Sequence, residues 1–173
     1  MSPTRNRWWI LIVPVALVAI YTVGWVVYAD RHLRPQYSRS APGAAADARG
    51  ATWRVLALTS TSSLFSTASS NDRPAVPDAG AVWVVADLEV LQPAAGDRFS
   101  CEVELLGPGE QVWETGVPPV SRAASCDPDA FMVGQPYRFE AVFQVPERAA
   151  HRLGILVPDS STAARTPVLT PPA

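Results

Sequence analysis

Two cysteines, Cys101 and Cys126, are the residues of this chain with the clearest chemical potential, and 24 residues separate them. They have no CxxC spacing, and structural zinc requires a full tetrahedral set of ligands, whereas the only histidines are His32 and His151. In an exported, oxidising compartment such a pair usually forms a disulfide, and this is the pairing that we predict. Two buried free thiols are the alternative, which a cytoplasmic domain would favour.

Acidic residues follow both cysteines closely. Glu102 and Glu104 come after Cys101, and Asp127 and Asp129 come after Cys126. A disulfide would draw these four carboxylates towards one another, and oxygen-rich clusters suit a hard cation. The sequence therefore raises the hypothesis of a calcium site. A solvated acidic patch is the alternative, because no calcium-loop motif is present.

Patterns that would indicate catalysis are absent from the sequence, which has no G-x-S-x-G, P-loop or dinucleotide-binding motif. A serine hydrolase needs a histidine base, and His151 is the only candidate in the folded region. The acid pairs Asp87/Glu89 and Glu102/Glu104 have the spacing of residues on the solvent face of a strand. We therefore predict that the protein is not an enzyme and has no cofactor.

An uncharged apolar run, WWILIVPVALVAIYTVGWVVYA, occupies residues 8–29. As an α-helix its 22 residues would span roughly 33 Å, enough to cross the hydrocarbon core of a bilayer. Arg5, Arg7 and the α-amino group on one side balance Arg31, Arg34 and Arg39 on the other, so charge does not decide the orientation of the run. We predict a single-pass helix with residues 1–7 in the cytoplasm and the domain outside the membrane, because an N-terminal anchor before a translocated domain is a common arrangement. A cleaved signal peptide is the alternative, although its apolar core usually covers only about 7 to 15 residues.

The charge of the chain bears on its partners. Residues 50–173 carry 8 arginines against 14 acidic residues, and the chain has no lysine. Nucleic-acid binding calls for a basic patch, so a nucleic-acid partner is not expected.

The remaining chain divides by composition. Residues 30–50 mix Arg, Ser, Pro, Ala and Gly without apolar periodicity, which predicts a flexible linker, and residues 160–173 predict a disordered tail for the same reason. Between them, residues 52–159 alternate apolar and polar positions with period two, and Pro, Gly, Asp and Ser separate the runs. This pattern predicts an all-β domain, an antiparallel β-sandwich. Its strands are expected in WRVLALTST, AVWVVADLEVLQ, RFSCEVELL, EQVWE, PYRFEAVFQVP and HRLGILVPD.

One connection in this domain is unusually long. Residues 59–78, TSTSSLFSTASSNDRPAVPD, are polar apart from a few positions such as Leu64 and Phe65. Loops of this length in compact domains are commonly functional or disordered. The segment is therefore a candidate binding loop.

Three runs together carry a resemblance to a known family: VWVVADLEV, GQPYRFEAVFQVP and LGILVPD. They resemble the small exported bacterial immunoglobulin-like domains of the immunoprotective extracellular antigen type. The resemblance implies an immunoglobulin-like sandwich with a binding role and no catalytic residues. The cysteine pair and the acidic surface depart from that family.

The function that we expect is a non-catalytic binding module of the bacterial cell envelope, tethered to the membrane and facing outwards. Its partner would be a protein or an envelope component, bound at a sheet edge or at the 59–78 loop. The alternative is an accessory subunit whose helix docks in a larger membrane complex.

Overall fold

The computed structural model describes residues 7–32, 36–69, 73–92, 100–158 and 166–173. It divides into two units, Met1–Gln36 and Tyr37–Ala173, which are taken separately below.

The first unit contains helix α1, Arg7–His32. Its window Ile12–Ala29 has a mean hydropathy of 2.1, and none of this window is buried by the protein. By length and composition the helix could cross a membrane or serve as a signal anchor. Pro14 lies inside the helix, and Thr22 Oγ1 donates to the carbonyl of Val18 at 2.8 Å, as is common for a hydroxyl within an apolar helix.

The second unit is a β-sandwich of two sheets. Its strands in chain order are β1 Tyr37–Arg39, β2 Ala46–Ala48, β3 Ala51–Thr61, β4 Ala81–Leu91, β5 Glu104–Leu106, β6 Val112–Glu114, β7 Tyr137–Pro146, β8 Gly154–Leu156 and β9 Thr166–Leu169. One sheet has the order β1-β9-β8-β5-β6 and the other β2-β3-β4-β7. All pairs are antiparallel except β1 with β9, which is parallel. The predicted sandwich is confirmed.

Period-two alternation builds the main core. Along β4 the inward side chains are Val84, Ala86, Leu88 and Val90, and along β7 they are Phe139, Ala141, Phe143 and Val145. These residues pack with Trp53 of β3, whose indole N–H donates to the carbonyl of Ala48 at 3.0 Å, so that its one polar group is satisfied in the core. Burial therefore follows the predicted faces of the long strands.

A tight hairpin joins β2 to β3 inside the predicted linker. Arg49 and Gly50 have φ angles of 52° and 70°, and Ala48 pairs directly with Ala51. Both central residues lie in the left-handed region, which matches the right-handed twist of the flanking strands. The prediction of a flexible linker over residues 30–50 is thus wrong where β1 and β2 form, because three-residue strands are too short for a detectable period.

The predicted disordered tail contains β9, and Val168 and Leu169 are fully buried there. The segments around β1 and β9 are joined by further hydrogen bonds: Ser40 N–H to Val168 O at 2.9 Å and Gly43 N–H to Thr170 O at 3.0 Å. The tail is ordered over 166–173 because its apolar pair completes the core with strands that are distant in sequence.

Two of the predicted strands are shorter than the sequence indicates. Over its described residues, 100–106, the run RFSCEVELL forms a strand only at Glu104–Leu106, and over residues 151–158 the run HRLGILVPD forms one only at Gly154–Leu156; Arg98, Phe99 and Asp159 lie outside the described residues. Leu106 is buried as well as Val103 and Leu105, because the outer side of this sheet carries a small cluster of its own with Leu156. The alternation of apolar and polar residues did not predict this small cluster on the outer side of the sheet.

Candidate functional site

Cys101 and Cys126 lie at disulfide-bonding distance, with their Cα atoms 6.2 Å apart. Cys101 precedes β5 of the five-stranded sheet. Cys126 follows Ser125, which forms a parallel bridge with Glu140 at the edge of β7 in the other sheet. The cysteine pair therefore ties one sheet to the edge of the other, and both residues are half-buried against the main core.

A groove of about 470 Å³ opens beside this pair, and we call it the cysteine groove. Its lining is mostly apolar and comes from four segments: residues 100–102, residues 115–118, residues 125, 126 and 128, and residues 139–142. Phe139 and Ala141 of β7 are also members of the main core. On the wall, the side chain of Val117 is 94% exposed.

Hydrogen bonds fix both walls of the cysteine groove to β7. The Gly116 N–H donates to Val142 O at 3.1 Å on one side, and the Glu140 N–H donates to Ala124 O at 2.7 Å on the other. The groove is thus built on an edge strand that is only locally covered. Because β-edges and apolar recesses are common sites of peptide binding, this arrangement can hold an apolar side chain of a bound segment.

A second recess adjoins the cysteine groove and shares Glu102 and Thr115 with it. This glutamate pocket, also about 470 Å³, is lined by Glu102, Val103, Glu104, Glu114, Thr115 and Pro158. Glu104 and Glu114 are directly opposite each other on β5 and β6, an arrangement in which like charges destabilise the sheet. One face of the sandwich therefore carries three neighbouring carboxylates.

The predicted calcium ligands are not assembled by the structure. Asp127 caps the 3₁₀ turn Pro128–Ala130, since its Oδ1 accepts the Asp129 N–H at 3.0 Å. Glu102 instead faces Arg49, at 3.4 Å, with its side chain 78% exposed. Among the residues that the structure describes, no group of three or more His, Cys, Asp or Glu side chains could hold a metal ion. The cysteine pair draws the backbones together, but Asp127 is engaged by its own turn and Glu102 faces Arg49.

On the outer face of the four-stranded sheet, Arg122, Glu140 and Asp87 form a charged cluster. The Arg122 Nε and Nη2 atoms lie 2.7 and 2.6 Å from Glu140 Oε2, with the two side chains only 10% and 18% exposed. Asp87 stands opposite Glu140 on β4. Burial, and then the Glu140 carboxylate, raise the pKa of Asp87, and Arg122 acts in the opposite direction. Sequence spacing predicts Asp87 on a solvent face, and the structure shows instead that it is half-buried.

The 59–78 connection covers the same outer face. Over its described part after β3, residues 62–69 and 73–78, Leu64 is buried and bridges to Ala75, and it packs with Val120 and Val142 in a second small core. Arg122 Nη1 also donates to the carbonyl of Phe65 at 2.7 Å. The described part of this connection is therefore packed. In the sequence, the apolar Leu64 within a polar segment indicated this packing, but Val120 and Val142, which it contacts, lie far away along the chain.

His151, the candidate catalytic base, is exposed in a bend before β8. Its backbone N–H donates to Ala149 O at 2.8 Å, which stabilises the bend. His151 lines neither the cysteine groove nor the glutamate pocket.

No protein-family model and no curated protein matches the chain. Two solved structures are similar to it. An uncharacterized β-sandwich protein from Clostridium difficile 630 is 6% identical over 79% of this chain and 95% of its own, with a TM-score of 0.48. A conserved hypothetical protein from Bacillus anthracis is 13% identical over 68% of this chain and 87% of its own, with a TM-score of 0.49. Similarities at this level carry no argument about function, and the resemblance to the immunoprotective antigen type stays a prediction.

Proposed function

We propose that this protein is a membrane-tethered, extracytoplasmic binding module of the bacterial cell envelope, and that it binds a partner in the cysteine groove without catalysis. The observation that carries the proposal is the groove itself: an apolar recess beside an edge strand, with Val117 exposed on its wall. A recess lined mainly by apolar side chains with a few polar groups is a feature of binding sites.

We also propose, as a more specific description of the fold, that the sandwich is immunoglobulin-like. The chain order supports it, because β3, β4 and β7 share one sheet while β5, β8 and β9 share the other. In immunoglobulin domains strands A, B and E pair in one sheet and strands C, F and G in the other. Here β3, β4 and β7 take the places of A, B and E, and β5, β8 and β9 those of C, F and G. The cysteine pair differs, since it joins the approach to β5 with the edge of β7 rather than strands B and F.

Helix α1 supports the tether. Its apolar length exceeds the core of a signal peptide, and Trp8, Trp25 and Tyr28 are exposed near its two ends, where aromatic rings favour the membrane interface. A cysteine pair at disulfide-bonding distance fits an oxidising compartment outside the cytoplasm.

The location is tested first. The protein should stay in membranes during alkaline carbonate washing, and protease added to intact spheroplasts should degrade the sandwich. A soluble form starting near Asp30 would show a cleaved signal instead, and a protected sandwich would show the opposite orientation.

Binding is tested in cells with a photocrosslinking amino acid at position 117 of the full chain. A matched control places the same amino acid at Val76, which is also strongly exposed, at 75%, but lies in the 59–78 connection. A crosslinked partner specific to position 117 is expected. Equal crosslinking at both positions, or none at position 117, would contradict binding in the groove.

A further inference from the structure

The two recesses described above differ in chemistry and adjoin each other. The cysteine groove offers apolar surface, while the glutamate pocket offers carboxylates, and Glu102 belongs to both. Among the residues that the structure describes, no arginine is part of the lining of either recess, although Arg49 contacts Glu102 and the Pro158 carbonyl at the edge of the glutamate pocket, and the chain has no lysine. A ligand that spans them therefore meets an apolar surface next to negative charge.

The carboxylates of this face are open to a ligand. Arg49 approaches Glu102 only at 3.4 Å, and the Glu102 side chain is 78% exposed, so this ion pair leaves most of the carboxylate in solvent. Glu114 is exposed, and Glu104 stands directly opposite it. A cationic group placed between these two side chains would relieve their mutual repulsion.

We infer that the cysteine groove and the glutamate pocket together bind an extended segment of a partner protein in which basic side chains alternate with apolar ones. An apolar side chain occupies the cysteine groove, and an arginine or lysine beside it reaches Glu102, Glu104 and Glu114. The occupant is chosen by charge complementarity, since an acidic segment would add like charge to this face. This inference rests on the proposed function and specifies the chemistry of its partner.

The test in solution uses the full chain in nanodiscs of zwitterionic lipid, which do not attract basic peptides. The probes are three fluorescent peptides of equal length: one alternates arginine with valine, one replaces each arginine by glutamate, and one replaces each valine by serine. Binding is followed by fluorescence anisotropy at low and physiological salt. The Arg/Val peptide should bind at least tenfold more tightly than either of the others, and its affinity should fall as salt rises.

Variants assign this binding to the two recesses. Glu102→Gln combined with Glu114→Gln should weaken the Arg/Val peptide by about tenfold, a few-fold per carboxylate. Val117→Arg should weaken it as well, through the groove. The controls are Glu147→Gln, which removes an exposed acid from the 3₁₀ turn Glu147–Ala149, and Val76→Arg, and neither should change the affinity. An unchanged melting temperature shows that each variant is folded.

Several results would overturn the inference. They are the absence of Arg/Val peptide binding, equal binding of the Glu/Val peptide, or equal losses in the test and control variants. In cells, the peptide of the partner crosslinked at position 117 should be basic and apolar when mapped by mass spectrometry. If the mapped peptide is acidic or uncharged, or belongs to a second copy of this chain, the inference of a basic ligand is wrong, but binding in the cysteine groove still holds. If no crosslink is specific to position 117, the proposed function itself is wrong.

Discussion

Removing the cysteine pair should lower the stability of the sandwich by an amount that the loop length sets. The two cysteines are 25 residues apart in sequence, and the chain-entropy relation gives about 3.5 kcal/mol for closing a loop of that size. For a unit the size of Tyr37–Ala173, about 1 kcal/mol corresponds to roughly 3 to 4 °C in melting temperature, so the expected loss is about 12 °C.

The perturbation is made in three variants, Cys101→Ser, Cys126→Ser and the double variant. Each single change abolishes the same cross-link, so the three variants should lose the same free energy of unfolding to within about 1 kcal/mol. The differences among them reflect the burial of a hydroxyl in place of a half-buried sulfur. Urea unfolding of the full chain in detergent, followed by tryptophan fluorescence with buried Trp53 as a reporter, measures the free energies. The wild type with dithiothreitol is the matched control and should behave as the double variant does.

Two outcomes would refute this reasoning. If the native protein isolated from cells reacts with a thiol reagent at both cysteines before unfolding, the pair is not oxidised and the entropy term does not apply. If the double variant is much less stable than either single variant, the two sulfurs contribute through separate packing rather than through one cross-link.

Three further predictions concern the sandwich itself. Leu169→Ala should destabilise the protein by about 2 to 5 kcal/mol, because the side chain is fully buried in β9; equal urea midpoints for variant and wild type would contradict the role of this strand in the core. Gly154→Ala should lower the free energy of unfolding by about 1 to 3 kcal/mol, since a Cβ there would collide with Val168. The control Gly50→Ala meets open space and tests only the cost of a positive φ. A Gly154→Ala variant as stable as wild type would contradict the close packing of β8 on β9. Because the folded state raises the pKa of Asp87, it binds this proton more tightly than the unfolded chain does, and the carboxyl contributes stability that is lost as the pH rises through the raised pKa. Asp87→Asn should therefore raise the urea midpoint at pH 7, and the midpoint of the variant should increase less than that of the wild type as the pH falls. A midpoint at pH 7 below that of the wild type would contradict the destabilising effect of the desolvated carboxylate.

The long elements of this protein are determined by local pattern. An uncharged run of helix length has one low-energy form in an apolar environment, and α1 occupies it. Strands β4 and β7 alternate over about five periods, so the side chains that face the main core are the alternate ones. Val142 of β7 is buried on the other face, because Leu64 and Val120 cover it. The predicted disulfide agrees with the disulfide-bonding distance of the only two cysteines in the sequence.

The short elements and the cysteine groove were decided by tertiary structure. Strands β1 and β9 have three and four residues, too few to show a period, and they form because each pairs with a segment from the other end of the domain. The cysteine groove combines four segments that are separated along the chain, so no local pattern marks its residues as neighbours.

The charges illustrate the same division. The i, i+2 spacing of Asp87 and Glu89 correctly puts both on one face of β4, but it cannot show that the 59–78 connection covers part of that face. Burial, and then the Glu140 carboxylate, raise the pKa of Asp87, whereas Arg122 acts in the opposite direction. Likewise the acids beside the cysteines are close in backbone, yet Asp127 is used by its own turn. Sequence determined which residues are apolar, charged and regularly spaced, and the tertiary fold decided which of them share a surface, because that depends on contacts between residues far apart in the chain.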